Sequence, residues 1–284
     1  MIPNSFDYHR ATSVDEAIRL MAQHGMDAKL LAGGHSLLPA MKLRLNQPGV
    51  LVDIGRLAEL RYIKKEGDSL VIGAGATHDD IANSEVARNT LSMLSEAANL
   101  IGDVQVRNKG TLGGSLAHAD PAADWPAVMI AAHAHIELRG PNGSRTVAAD
   151  DFFTGFYMTA LAEDEIITAI RIQAPPKGTH SSYQKFMQPA SRFAIVGCAA
   201  SVTKDGGVCQ KVSVALTGLS DTAFRASNVE AALTGKKLTK ENIAAAAQAA
   251  GEGVMAMGDH FASEEYRLHL AKVFAKRALM AAAE

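Results

Sequence analysis

Two glycine-rich segments carry the residues best suited to chemistry in this sequence. In Leu30-Leu31-Ala32-Gly33-Gly34-His35-Ser36-Leu37, an apolar strand-like run meets paired glycines and then Ser36 at a helix N-cap position. Without Cβ atoms, such a backbone approaches an anion closely, and successive N–H groups can ring a phosphate oxygen. The positive end of a following helix adds to that field. The same residues also suit a tight turn with an ordinary cap, because glycine turns recur in α/β proteins for steric reasons. The second segment is Gly110-Thr111-Leu112-Gly113-Gly114-Ser115, continuing through His118, Asp120 and Asp124. Here hydroxyls flank bare backbone, and the carboxylates suit ribose or ribityl hydroxyls. The competing reading is a second glycine turn, with Asp124 capping a helix that opens Trp125-Pro126. Two such segments together point to a ligand with two phosphates held between them.

Other constellations are weaker. Gly73-Ala74-Gly75-Ala76-Thr77-His78 follows a strand-like run and precedes a helix-like one, as a dinucleotide fingerprint does, but His78 stands where the third glycine belongs. His118, Asp120 and Asp124 have carboxylate and imidazole donors for a metal, without a second histidine at helical spacing. His133 and His135 alternate on an expected strand and so share a face, most simply as exposed sheet histidines. No G-x-S-x-G nucleophile elbow occurs. Cys198, in an apolar run, reads as a small buried hydrophobe. Arg107 and Lys109 flank the second glycine segment, placed to steer an anionic ligand or a partner.

The elements that must position these residues alternate in the first half. Val14, Ala17, Ile18 and Met21 have helical spacing over 14–24, with Ser13 as N-cap, Glu16 three residues on, and Gly25 as the stop. Strands are expected at 29–32, 50–53, 70–73, 135–139, 145–148 and 165–172, and helices at 37–45, 79–82, 90–100 and 125–132. Pro141-Asn142-Gly143 signals a hairpin. The stretch 102–124 is dense in Gly, Asp and Asn and reads as a long, functional loop. Ala174-Pro175-Pro176-Lys177-Gly178 is the expected domain boundary. Strands at 183–187, 195–203 and 212–219 follow it, with a turn at Lys204-Asp205-Gly206-Gly207, and helices fill the remainder, an α+β pattern.

The chain has 284 residues, 48% hydrophobic and 20% charged, which suits a folded protein of two domains and argues against disorder. A net charge of −2, from 28 Lys+Arg and 30 Asp+Glu, gives no reason to expect nucleic acid as a partner. Cys198 and Cys209 are the only 2 cysteines, too few on their own for a disulfide framework or a four-ligand zinc or iron–sulfur site. The N-terminus lacks the basic-then-apolar order of a secretory signal, and no run approaches the roughly 18 apolar residues of a membrane span. A cytoplasmic protein is expected.

Ala32-Gly33-Gly34-His35-Ser36 with Thr111-Leu112-Gly113-Gly114-Ser115 resembles the paired FAD motifs of the flavoprotein, or medium, subunits of molybdenum hydroxylases, the carbon monoxide and xanthine dehydrogenase type. Ile2-Pro3, Phe6 to Arg10 and the block 107–124 fit as well, and the resemblance covers the whole chain. It implies an α+β architecture: a vanillyl-alcohol-oxidase-type FAD-binding domain over 1–176, with α/β subdomains of about 1–54 and 55–176. A C-terminal domain over 177–284 would be a three-stranded antiparallel sheet with a helical bundle. Carried over by position, Ala32, Gly33, Gly34, His35 and Ser36 hold the FAD pyrophosphate from one side. Thr111, Leu112, Gly113, Gly114 and Ser115 hold it from the other, with Ser115 replacing the usual Asn. Asp124 binds sugar or ribityl hydroxyls. Leu30, Leu37, Ile101 and Leu161 give apolar walls. Lys185 matches a lysine that reaches towards the flavin, where a cation stabilises the reduced anionic ring. Phe193 screens the ring, while Arg192 stands where the family commonly has Asp, which reverses the charge.

The resemblance implies no catalytic residue and no metal ligand on this chain. Its partners would be a large molybdopterin subunit and a small subunit with 2Fe-2S clusters, in a dimer of heterotrimers. Electrons would pass through FAD to a quinone or NAD, in the cytoplasm, with peripheral contact to the inner face of the membrane left open. Two alternatives stand beside it: a self-contained NAD-linked dehydrogenase using the Gly73–Gly75 turn, and a non-catalytic scaffold whose glycine segments are only turns.

Overall fold

The computed structural model describes residues 2–284. Its first unit is a three-stranded parallel sheet, with Val50–Asp53 central between Asp7–Arg10 and Ala28–Leu31. The helix Val14–His24 carries the chain across the sheet from one outer strand to the other, burying Val14, Ala17, Ile18 and Met21 as their spacing dictates. Ser13 caps it by accepting from the Glu16 N–H, and Gly25 ends it at φ 55°. The Glu16 carboxylate, however, turns to the Thr12 N–H at 2.7 Å, so the box closes one residue earlier than the sequence pattern places it. The strand Asp7–Arg10 went unforeseen because its residues are mostly exposed and carry no apolar alternation.

The second unit is a five-stranded, wholly antiparallel sheet in the order Ile63–Glu66, Ser69–Gly73, Ile166–Gln173, His135–Gly140, Gly143–Ala148. The hairpin turns at Pro141-Asn142, and Gly143 takes φ 110°. Helices pack on this sheet around Trp125, Phe152, Leu94 and Leu116, all fully buried. The expected helix at 90–100 runs Ser92–Leu100; it starts after Leu91, which adopts extended backbone at φ −149° and separates it from an unforeseen helix, Glu85–Thr90. His133 lies before the strand rather than on it, at φ 50°, so the shared face with His135 does not form.

The stretch 102–124 is not one loop. It contains the helices Val104–Arg107, capped by Asp103, and Leu112–His118, capped by Thr111. Glycine disfavours helix, and Gly113-Gly114 concealed the second one from propensity. Packing supplies the reason for Gly113: a Cβ there would lie 2.6 Å from the Ala74 Cβ. Asp124 is the first residue of the helix Asp124–Ala131 rather than its cap; Ala123 holds the cap position.

The last unit has three long antiparallel strands, Thr179–Met187, Ala194–Asp205 and Val208–Thr217, and a fourth of two residues, Phe224–Arg225, at the edge. One face is covered by the long helix Glu264–Ala283, with Val196, Val202, Leu216, Phe274 and Leu279 in a shared core. The other face carries Tyr183, Ala199 and Ala215 into the core of the antiparallel unit, against the wholly buried helix Asp124–Ala131. The two alanines let that helix sit close to the sheet, and this places its first residue at the edge of a cleft. Arg267 ties the helix to the sheet, donating to the carbonyls of Ile195 and Gly218 and to Asp259. No helix among the described residues is long and apolar enough to cross a membrane.

Candidate functional site

A cleft of about 240 Å³ opens where the three units meet. Its walls include Leu30, Ala32, Gly33, Gly34, His35, Ser36 and Leu37 from the first segment. Ile101, Thr111, Gly114, Ser115 and Asp124 come from the second unit, and Phe193 from the third. Leu161 and Gly113 line a smaller neighbouring cavity of about 70 Å³, which shares Leu30, Ala32, Thr111 and Gly114. Two expected site residues lie elsewhere. Leu112 is 0% exposed and points into the core, because it starts a helix whose inner face packs on the sheet. Lys185 does not line the cleft but lies behind its wall: its Nζ donates to Asp124 Oδ2 at 2.9 Å and to the Arg192 carbonyl at 2.6 Å.

The two glycine segments interlock. A Cβ on Gly33 would meet the Lys109 carbonyl oxygen at 2.0 Å, so only glycine permits this approach. Gly34 takes φ 75°, the left-handed conformation that glycine adopts freely. In the first segment no backbone N–H from Gly33 through Leu37 has a protein partner among the described residues. Ser36 occupies the cap position without a side-chain cap bond, which leaves its hydroxyl free as well. The second segment differs. Its N–H groups are already used: Leu112 donates to Ala76 at 3.0 Å, Gly113 to Ala74 at 2.9 Å and Gly114 to Thr111 Oγ1 at 3.1 Å. What this segment presents to the cleft is therefore hydroxyls, those of Thr111 and Ser115, rather than a ring of amides. Thr111 Oγ1 accepts from Gly114, so its proton is free to be donated.

Asp124 is 4% exposed and bonded to the Tyr183 hydroxyl and the Lys185 ammonium. Burial pushes its carboxyl up, and Lys185 and Tyr183 pull it back. Desolvation raises the cost of the Tyr183 phenolate further, beside that carboxylate. Lys185 thus clamps the turn that bears Arg192 and Phe193. Arg192 sits at φ 63°, and its guanidinium crosses the cleft to the Gly102 carbonyl at 3.2 Å; Arg107 donates to the same oxygen at 3.2 Å. Phe193, 44% exposed, presents an uncovered ring.

Several lining residues were singled out by sequence for another role or not at all. His118 and Asp120 border the cleft, but Asp120 accepts from the Tyr157 hydroxyl at 3.0 Å, and His118 Nε2 stands 4.0 Å from it. Burial lowers the His118 imidazole, and Asp120 partly offsets this. Tyr157, partly desolvated and facing that carboxylate, is pushed up to about 12. No group of three His, Cys, Asp or Glu among the described residues is placed to hold a metal. Gly102, Val106, Ala123 and Ser191 are further wall residues. Of these only Gly102 carried a signal, as a glycine opening the suspect stretch. The Gly73–Gly75 turn is filled by protein: Cβ atoms there would lie 2.4 Å and 3.0 Å from the Leu60 carbonyl oxygen. Its strand belongs to an antiparallel sheet, so the turn is no dinucleotide site.

A cleft edged by free amides, hydroxyls and one flat ring, outside any parallel nucleotide-binding sheet, defines a protein that holds an extended nucleotide cofactor. The family that takes this form is shown by two matches: "FAD binding domain in molybdopterin dehydrogenase" over residues 4–175 and "CO dehydrogenase flavoprotein C-terminal domain" over residues 181–282. The chain belongs to this family of FAD-binding oxidoreductase subunits. It is 47% identical over 282 residues to the carbon monoxide dehydrogenase medium chain of Hydrogenophaga pseudoflava, covering 99% of this chain and 98% of that one. The xanthine dehydrogenase FAD-binding subunit of Escherichia coli O157:H7 is 31% identical over 277 residues, 96% of this chain and 94% of the relative. A solved structure of the Hydrogenophaga pseudoflava carbon monoxide dehydrogenase lacking the Mo-pyranopterin moiety superposes at a TM-score of 0.96. It is 49% identical, with 99% of this chain and 98% of that chain covered. Quinoline 2-oxidoreductase from Pseudomonas putida 86 gives 0.94 at 33% identity, over 100% and 98%.

Proposed function

We propose that this chain is the electron-transfer flavoprotein subunit of a heteromeric molybdenum hydroxylase of the carbon monoxide dehydrogenase type. A partner with iron–sulfur clusters supplies single electrons, a large molybdopterin subunit performs the substrate oxidation, and a quinone or NAD takes the electrons away. The division at 176/177, the vanillyl-alcohol-oxidase-type reading of the first domain and assembly as a dimer of heterotrimers belong to the same reading. The observation that carries it is the unbroken run of unpartnered N–H groups from Gly33 to Leu37 on the cleft wall, facing the hydroxyls of Thr111 and Ser115.

Those groups fit a diphosphate. Half-buried or exposed and without protein partners among the described residues, they are available to an anion that accepts from several of them at once. Thr111 and Ser115 donate from the opposite edge, Asp124 accepts from a sugar or ribityl hydroxyl, and Leu30, Leu37 and Ile101 cover the apolar rings. Phe193 screens the reactive ring from water. Lys185 acts through the Arg192 carbonyl and so sets where Phe193 stands. Arg192 brings a positive charge to the cleft, which favours electron-rich states of whatever lies beneath it. FAD, when bound, supplies the ability to take electrons one at a time and release two. No residue of this chain is assigned a proton-transfer step on a substrate.

The test is flavin retention. The purified full chain is mixed with FAD, freed of unbound ligand, denatured, and its flavin read by absorbance. Near-stoichiometric FAD supports the reading. A flavin-free chain that stays flavin-free in an active complex with its co-expressed partners refutes it.

A further inference from the structure

The Gly73–Gly75 turn is no cofactor loop, but it delivers His78. The geometry points to His78 as a further cofactor-binding residue: we propose that its Nε2–H donates a hydrogen bond to an oxygen of the cofactor's diphosphate. This rests on the FAD reading above and adds a residue to it.

His78 opens the short helix His78–Ala82, whose capping box is formed by Thr77 and Asp80. Its backbone N–H donates to the Gly110 carbonyl at 3.0 Å, and Thr77 bridges Thr111 in antiparallel fashion. The residue is thereby clipped onto the second glycine segment. Its side chain is only 5% exposed, yet it lines the cleft. Trp125 Nε1 donates to His78 Nδ1 at 3.0 Å. An indole N–H can only donate, so Nδ1 must be the bare nitrogen and the proton sits on Nε2. Nε2 has no protein partner among the described residues, and it is not one of their sealed, unpartnered polar atoms, so it opens on the cleft. Gly110 keeps that opening clear: a Cβ there would lie 2.6 Å from Nε2.

Burial, with the charges of His35 and Arg107 nearby, holds the imidazole down to about 4. In the ligand-free chain the imidazole is therefore neutral near pH 7, and the Trp125 bond fixes its tautomer. It stands between His35 of the first segment and Gly110 of the second, the gap that a diphosphate spans. A neutral donor held rigidly by a buried indole adds directionality there without an extra buried charge.

The test uses the full chain freed of flavin, titrated with FAD, ADP and riboflavin, with apoprotein unfolding midpoints measured alongside. His78→Asn places an amide oxygen near the Nδ1 position, keeps the Trp125 bond and removes the cleft donor. His78→Gln places an amide nitrogen near Nε2 and keeps the donor. His78→Asn is expected to weaken FAD and ADP about tenfold and leave riboflavin unchanged, with His78→Gln within about threefold of wild type. The inference is overturned if His78→Asn binds FAD and ADP like wild type, if riboflavin weakens equally, or if His78→Gln falls as far as His78→Asn. Should His78→Asn unfold, the wild-type chain decides: the His78 Nε2–H resonance is expected to move downfield when ADP binds and to stay in place with riboflavin, and a resonance that ADP leaves unmoved overturns the role. A wild-type chain that binds no FAD in isolation or in its complex defeats the functional reading itself, and His78 with it. Binding that is indifferent to position 78 defeats only His78.

Discussion

Lys185→Met tests the clamp beneath the cleft. The ammonium it removes is wholly buried, with 0% of the side chain exposed and Asp124 at 5%, and it is shared between Asp124 and the Arg192 carbonyl. Methionine fills the lysine's volume but leaves the carboxylate with only the Tyr183 hydroxyl. Removing one partner of such a buried pair costs about 3–5 kcal/mol, because the other charge stays buried and uncompensated. At about 2.1 cal/mol/K per residue of unfolding entropy, a 284-residue chain melting in one transition loses about 5–8 °C. The sign with pH follows from Asp124, whose carboxyl burial already raises in the folded chain. Without Lys185 it rises further, and a carboxyl raised on folding contributes stability below its unfolded value that is lost as pH rises through its folded value. The deficit of Lys185→Met should therefore be largest near neutral pH and shrink as pH falls towards the unfolded carboxylate range. Adding Asp124→Asn should recover most of the loss, since it removes the orphaned charge. Calorimetry from pH 5 to 8 on wild type, Lys185→Met and the double variant measures all of this. A Lys185→Met chain within about 1 kcal/mol of wild type at pH 7, or a double variant no better than the single, would refute the assignment of a buried clamp.

Gly33→Ala should lower both the melting temperature and FAD retention. Its new methyl would lie 2.0 Å from the Lys109 carbonyl, which is backbone and cannot swing aside, so a loss of at least about 1–3 kcal/mol is expected. Arg267→Met should destabilise by about 2–5 kcal/mol in urea titrations, because it strips donors from two buried carbonyls. Both cysteines are buried with their thiols pushed up by desolvation. A thiol reagent should therefore find none reactive in the native chain at pH 8 and 2 after unfolding.

Much of the scaffold was legible because it rests on local periodicity. The helix 14–24, the hairpin around Pro141-Asn142 and the strands on either side of Pro175 follow from apolar spacing and turn residues alone. What stayed hidden rests on contacts distant in sequence. The helix Leu112–His118 contains paired glycines that propensity counts against it; Ala74, brought in by another strand, is what makes Gly113 necessary. The same holds at the site. Leu30 to Leu37, Thr111, Gly114, Ser115, Asp124 and Phe193 were found by motif, and all of them except Leu31 reach the cleft. Lys185 was assigned to the flavin by its position in a motif, yet the buried Asp124 opposite claims it. His78 counted against a nucleotide fingerprint and so dropped from view. Its partner Trp125 lies 47 residues away, and no spacing rule connects the two.

The fit of Gly33 against Lys109 also has a consequence for the order of assembly. The contact joins chain segments separated by about 76 residues, and closing a loop of that length costs about 4 kcal/mol of chain entropy before any reward. The parallel sheet that presents Gly33 must itself wait for its crossover helix. The cleft is thus a product of late, non-local docking, and its two rims are among the first parts to separate when the chain opens locally. A ligand that bonds both rims and has no affinity for the open chain then acts as a removable crosslink. At a hundred times its dissociation constant it would add about 2.7 kcal/mol to the closed form.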